Sequence, residues 1–308
     1  MEQEIREQPT LLRAQVSRYG DELRSALGGL RPQLVVLAAR GSSDHAALYA
    51  RYLIEIFLQV PVSLAAPSVL TRYRSEVRYP PCLVVGISQS GAAPDVGEVL
   101  ESARNHGHAT LAVTNSPGSR VAQAAEHVLL LDCGPERSVA ATKTYTASLL
   151  AMVSLVQALG GDLPPIGLPD ETWLEGSRTA AEAALGPVLR SNRWFALGRG
   201  LSFASAHETA LKLMECALVP CKAYSMADFQ HGPRALATHG STAIVFGDPP
   251  EGLEDQGCSV ERFPDPGHGP WSPIAEIMAG QWLALLAARA KGLDPDQPHH
   301  LSKVTQTL

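Results

Sequence analysis

The chain has 308 residues, 45% hydrophobic and 18% charged, with a net charge of −6. That length and balance support a sizeable core and two domains, and they exclude general disorder. No basic block invites nucleic acid, no run nears the ~20 apolar residues of a membrane span, and the opening MEQEIREQP has no apolar signal core.

Five scattered cysteines, Cys82, Cys133, Cys216, Cys221 and Cys258, are odd in number and form no CxxC pair. Unpaired thiols in a reduced cytoplasm are the expectation. Cys216 and Cys221 are close in sequence but lack further ligands nearby, and the adjacent His299 and His300 lack carboxylate or thiol support. No metal is expected.

After an N-terminal helical segment, short apolar runs alternate with amphipathic stretches. Strands are expected at 33–39, 60–66, 82–88, 109–115 and 127–131, with helices near 43–58, 94–106 and 118–125. A long apolar helix over 142–159 closes this half. GGDLPPIGLPDE (160–171) is the linker candidate. The rhythm then restarts: strand 193–198, helix 203–218, strands 241–247 and 258–263, and a helix over 272–291. Strand–helix alternation argues for parallel sheets covered on both faces. LAARGSS (37–43) and ALGRGLS (196–202) repeat one order, a strand, then ARG or GRG, then serine, then a helix. The reading is two doubly wound α/β domains, residues 1–165 and 166–308.

In such sheets ligands sit beyond the carboxyl ends of strands, where free N–H groups at helix N-termini favour an anion. Gly41-Ser42-Ser43 and Ser88-Gln89-Ser90-Gly91 both follow strands. Each alone reads as an ordinary serine cap. Two after strands of one sheet point to a phosphate. The rival dinucleotide site needs G-x-G-x-x-G, but Gly198-Arg199-Gly200 has Phe203 where the third glycine belongs. No GK[ST] marks a P-loop.

In HETALKLMECA (207–217), Glu208, Lys212 and Glu215 recur at helical spacing and share a face. A solvated salt-bridge face is the ordinary reading. Carboxylates flanking an ammonium on a mostly apolar helix also suit a tuned base. His231, before Gly232-Pro233, is either a turn residue or an acid–base group.

The ordered motifs EIREQP (4–9), ARGSS (39–43), ISQSG (87–91), VAATK (139–143), ALKLMECA (210–217), HGPRAL (231–236) and LSKVT (301–305) resemble the sugar isomerase (SIS) family. Within it, the chain is similar to the isomerase portion of glucosamine-6-phosphate synthase and to stand-alone SIS-type glucosamine-6-phosphate deaminases. The resemblance implies flavodoxin-like domains and a C-terminal tail over the active site. It places Ser43, Ser88, Gln89 and Ser90 on the sugar phosphate. It makes Glu215 the base between C1 and C2, His231 the ring-opening residue and Lys303 the lysine that reaches the open-chain carbonyl. Gly41, Ser42, Val139, Ala141, Lys212 and Glu208 fall at further substrate-site positions.

The family pattern SQSGET is broken by Ala92 and Ala93, and Ala141 stands where a serine is common. The resemblance implies cofactor-free aldose–ketose chemistry on a hexose or amino-hexose 6-phosphate, in a homodimer with shared sites. Glu2, rather than a nucleophilic cysteine, follows Met1, so glutamine hydrolysis is not expected. Glucosamine 6-phosphate to fructose 6-phosphate plus ammonia is the favoured expectation. Another (amino)hexose 6-phosphate is the near alternative, and a non-catalytic sugar-phosphate-binding regulator the distant one.

Overall fold

A computed structural model describes residues 1–298 and 300–303. The two compact units are not cut at one point in the sequence. The first unit takes 11–136, 143–164 and the chain from 302 on; the second takes 1–10, 137–142 and 165–301.

The chain opens with α1 (Glu2–Leu27), whose first residues count with the second unit. The first unit continues with β1 (Leu34–Ala38), α2 (Ser42–Phe57), β2 (Val62–Leu64), α3 (Ser68–Thr71), β3 (Cys82–Ile87), α4 (Pro94–Asn105), β4 (Ala109–Thr114), α5 (Arg120–Ala124), β5 (His127–Leu130) and α6 (Lys143–Ala158). Its five strands are parallel in the order β2-β1-β3-β4-β5. The apolar run CLVVGI becomes β3 because a central parallel strand is covered on both faces, and all six of its residues are buried. Val84, Val96, Leu100, Ala112 and Val121 pack one face.

The second unit contains α7 (Glu171–Arg190), β6 (Arg193–Gly198), α8 (Phe203–Ala217), β7 (Cys221–Ser225), α9 (Met226–Gln230), β8 (Ser241–Phe246), β9 (Ser259–Phe263) and α10 (Ser272–Ala290). Its four strands are again parallel, in the order β7-β6-β8-β9. Helix α10 packs on both α7 and α8, which is why it is apolar all round.

Both sheets are doubly wound, with the strand order reversing beside β1 and beside β6. Two elements escape the sequence rhythm. Strand β7 is a five-residue edge strand with Lys222 exposed at its second position, so CKAYS reads as turn. Helix α7 carries Gly176, Gly186 and Pro187, which blur its period; Asp170 starts it by accepting from Trp173 N at 2.7 Å.

At the switch point of the first unit, β1 and β3 run in register, with Ala38 opposite Gly86. The chain therefore leaves both strands at the same level. The loop after β3 is fixed by Gly91, at φ +64°, where a Cβ would stand 2.0 Å from Ser119 Oγ and 3.0 Å from Thr114 Oγ1. Gly91→Ala combines left-handed strain with overpacking and should cost about 2–4 kcal/mol of stability. Urea denaturation should show that loss; an unchanged midpoint would contradict this account of the loop.

Candidate active site

In the first unit, β1 delivers Arg40-Gly41 to the start of α2, whose first residues are Ser42 and Ser43. Strand β3 delivers Ser88–Ala93 to the start of α4. Neither Gly41 nor Ala93, the two N-caps, supplies a side-chain cap. The first turns are already partly engaged: Ser43 N and Asp44 N donate to Arg40 O and Gly41 O, Pro94 has no N–H, and Val96 N donates to Asp95 Oδ1, so what these helix starts offer an anion is chiefly their dipole.

The second loop is held by its backbone. Ser88 N donates to Val113 O at 3.0 Å, and Gln89 O accepts from Asn115 N at 3.0 Å and from Thr114 Oγ1 at 3.3 Å. Gly91 O accepts from Val121 N at 3.0 Å. Main-chain anchoring leaves side chains available. Among the described residues the hydroxyls of Ser43 and Ser88 make no hydrogen bond, while Ser90 Oγ accepts from Ala92 N at 3.3 Å. An ion pair joins the loops: Arg40 Nε and Nη2 lie 2.8 and 2.7 Å from Asp95 Oδ2. Asp95 Oδ1 accepts from Val96 N, at the start of α4.

Elsewhere in this unit, Lys303 Nζ lies 2.9 Å from Glu136 Oε2. The carboxylate of Glu136 is fully buried and also accepts from Thr144 Oγ1 (2.7 Å) and Thr144 N (3.1 Å), at the start of α6. A carboxylate at a helix N-terminus is favourably placed, and here it holds the tail lysine. His299 and 304–308 lie outside the described residues.

In the second unit, α8 carries Glu208, Lys212 and Glu215. The face is not a solvated one: Glu208 and Lys212 are fully buried, and only Glu215, 24% exposed, reaches solvent. Lys212 Nζ lies 2.5 Å from Glu215 Oε2 and 3.4 Å from Glu208 Oε1. Burial acts to lower the Lys212 pKa, but the two carboxylates outweigh it and the net shift is upward. Lys212 is a fixed cation beside a carboxylate that reaches solvent.

His231 ends α9 and is exposed; among the described residues its ring makes no hydrogen bond. Val139 N donates to Asp296 O at 3.2 Å, which fixes the segment of Val139 and half-buried Ala141. Among the described residues, no group of three or more His, Cys, Asp or Glu could hold a metal ion, and no helix is long and apolar enough to cross a membrane.

Three features were missed from sequence. The Arg40–Asp95 pair was hidden by the 55 residues between its partners. Glu136 stood in a loop with no local pattern. Glu276 had a readable signal, a single acid inside the apolar helix SPIAEIMAGQWLALLA. It is nearly fully buried, and its oxygens accept from Ser202 Oγ (2.8 Å) and Ser205 Oγ (2.7 Å), in the loop and helix that follow β6.

The family model that describes an SIS domain matches residues 32–158 and 188–254, more than half of the chain. The chain belongs to the SIS family. This SIS chain is 33% identical over 314 residues to the isomerizing glutamine–fructose-6-phosphate aminotransferase of Symbiobacterium thermophilum, a match covering 87% of this chain and 51% of that one. The corresponding enzyme of Streptococcus pyogenes is 28% identical, over 98% of this chain and 58% of its own. The chain thus spans about half the length of the curated relatives it matches.

Among solved structures, a protein assigned as a phosphosugar isomerase from Silicibacter pomeroyi is 26% identical with a TM-score of 0.82, covering 96% of this chain and 98% of that one. A glucosamine-6-phosphate deaminase from Thermotoga maritima shares the fold at 21% identity and a TM-score of 0.76, covering 96% of this chain and 100% of its own.

Burial pushes the Glu276 carboxyl up from an ordinary 4.5 to about 7, against the lowering effect of the two serine hydrogen bonds. The folded state therefore holds a proton that the unfolded state releases between these values. This group's contribution to stability is present below pH 4.5 and is lost as pH rises to about 7. Glu276→Gln, which keeps shape and hydrogen bonding, should remove that loss, on the order of 3 kcal/mol. Urea melts from pH 5 to 8.5 should show the variant gaining on wild type as pH rises; a constant difference would mean that Glu276 does not titrate there.

Proposed function

We propose that this SIS chain is a phosphosugar isomerase-type enzyme that converts glucosamine 6-phosphate to fructose 6-phosphate and ammonia. The observation that carries the reading is the α8 constellation. A buried ammonium is gripped by two carboxylates on an otherwise apolar helix, and one of those carboxylates, Glu215, reaches solvent. A chain that merely senses a sugar phosphate has no need of that arrangement. The relatives named for work on fructose 6-phosphate and the deaminase fold both support the substrate class.

In this reading the phosphate binds at Ser43, Ser88, Gln89 and Ser90. Their hydroxyls and the Gln89 amide form charge-assisted hydrogen bonds to it, favoured by the dipoles of α2 and α4. His231 helps open the ring, exposing an aldehyde at C1. Glu215 takes the C2 proton, and the electron pair moves toward C1 and its oxygen. The same carboxylic acid returns the proton to C1, leaving an imine at C2. Water adds there and ammonia leaves, giving the ketose. Lys212 stays protonated and steadies the anionic state of Glu215. Lys303 polarises C2 or forms an imine there. No step calls for a cofactor. We place the enzyme in the cytoplasm as a homodimer in which His231 of one protomer serves the site of its partner; the exposed, unbonded ring within one chain is the motive.

The direct test incubates purified protein with 2-amino and 2-oxo hexose 6-phosphates and assays ammonia and ketose together. Equal release of both from glucosamine 6-phosphate supports the reading. Binding without turnover across the panel would make the chain a regulator.

Glu215→Gln should retain substrate binding while solvent-deuterium incorporation at C1 and C2 falls by about 10²–10⁴-fold. Exchange near the wild-type rate would move the base elsewhere, with Glu208 next to be tested.

Mixing inactive Glu215→Gln and His231→Ala chains should restore up to roughly a quarter of wild-type activity, because half the chains pair heterologously and each mixed dimer has one intact site. No rescue after proven subunit exchange would rule out shared sites.

A further inference from the structure

Apart from Arg40, the two serine loops contain no cation, and Ala92 and Ala93 stand where the resembling synthases carry a Glu-Thr pair. A sugar phosphate is mostly dianionic at neutral pH. Neutral hydroxyls and helix N-termini must hold it unless a side chain brings positive charge. Arg40 is the residue placed to do so.

Strands β1 and β3 pair in register through Ala38 and Gly86, so Arg40 and Ser88 each lie two residues beyond the same rung. Arg40 is the last residue before Gly41-Ser42-Ser43. Its carbonyl accepts from Ser43 N at 3.1 Å, which ties its backbone to the start of α2. Its side chain crosses to the other loop, where Nε and Nη2 both address Asp95 Oδ2. Asp95 is almost fully buried, while Arg40 is 47% exposed.

An arginine has five N–H donors in a fixed fork. Asp95 engages one edge of it. Among the described residues Nη1 makes no hydrogen bond. The buried carboxylate thus fixes the plane of the guanidinium and leaves another edge open at the switch point.

We propose that Arg40, oriented by Asp95, is part of the phosphate site and supplies the cation and forked donors that the serine loops otherwise lack. The proposal rests on the reading that this unit binds a sugar phosphate, and it names a residue beyond that reading's serines. It also accounts for the alanines: a charge-assisted contact from Arg40 replaces the missing threonine hydroxyl. Asp95 is the positioning residue, since it is buried and would repel an anion.

The test uses the full chain and inorganic phosphate as probe, at constant ionic strength, with binding read by calorimetry and thermal shift. Arg40→Met should weaken phosphate at least about tenfold, the scale of one lost charge-assisted hydrogen bond. Arg40→Lys should recover part of that loss. Asp95→Asn, which keeps the cation but loosens its aim, should cost less than Arg40→Met.

Wild-type affinity should rise from pH 5.5 to 7.5 as phosphate becomes dianionic, and Arg40→Met should flatten that rise. A purely structural role would leave it unchanged. Phosphate binding by Arg40→Met within threefold of wild type overturns the proposal, as does an Asp95→Asn loss equal to that of Arg40→Met. If Arg40→Met does not fold, Arg40→Gln, whose amide can still donate to Asp95, is judged by the same threefold limit. The assay needs no turnover. A chain that binds phosphate through Arg40 yet deaminates no sugar would overturn the proposed reaction and leave this inference standing.

Discussion

The in-register parallel pairing of β1 with β3 is the constraint on which the first unit's candidate site depends. Parallel pairing forces each strand to return through a crossover helix, so a helix N-terminus follows each carboxyl end. Register then decides whether two such ends come together. With Ala38 opposite Gly86, the loops that begin at Ala39 and Ser88 rise from one level. Strand order reverses at this place, so the two following helices leave on opposite faces and a crevice opens between their starts. The serine hydroxyls, the two helix starts and the Arg40–Asp95 pair all inherit their positions from this register.

The second unit repeats the topology with a different outcome. Its loop after β6 has a similar order, GRG and then serine, and leads into a helix in the same way. Yet Ser202 and the following Ser205 give their hydroxyls to Glu276, a carboxylate on the unit's own α10. The donors of that loop are thereby engaged from within. In the first unit, Ser43 and Ser88 have no such internal acceptor among the described residues. Two loops of one sequence type differ in whether their hydroxyls are engaged from within, because a single acidic residue stands on the helix that packs against one of them. Gly280 lets that helix come close, since a Cβ there would stand 2.1 Å from Thr209 Oγ1 of α8.

Much of the fold was legible because its central strands are buried and several of its crossover helices amphipathic. CLVVGI and STAIVF could not sit at a surface, and their lengths suit strands. Strand β7 was not legible, because an edge strand with exposed Lys222 as its second residue lacks that pressure. For the site, local motifs carried what was local: serines after strands, and Glu208, Lys212 and Glu215 on one helical face. Partners set by tertiary structure left no mark. Arg40 finds Asp95 across a whole strand–helix unit, and Glu136 holds Lys303 from 167 residues away. The segment membership of the units was hidden for the same reason, since 137–142 joins the second unit through bonds such as Val139 N to Asp296 O.

The buried charges of α8 show why this helix is better suited to chemistry than to stability. A fully buried ammonium carries a desolvation cost of several kcal/mol, and well-packed apolar residues would often serve the fold as well or better. Removing Lys212 alone would take from the buried Glu208 the ammonium that lies 3.4 Å from it. The arrangement is therefore held together by mutual dependence. Glu208 fixes the lysine from the buried side, and the lysine presents its charge to Glu215, the one member that meets solvent. The apolar remainder of α8 surrounds the three groups, and selection for stability alone would favour a different set of side chains here.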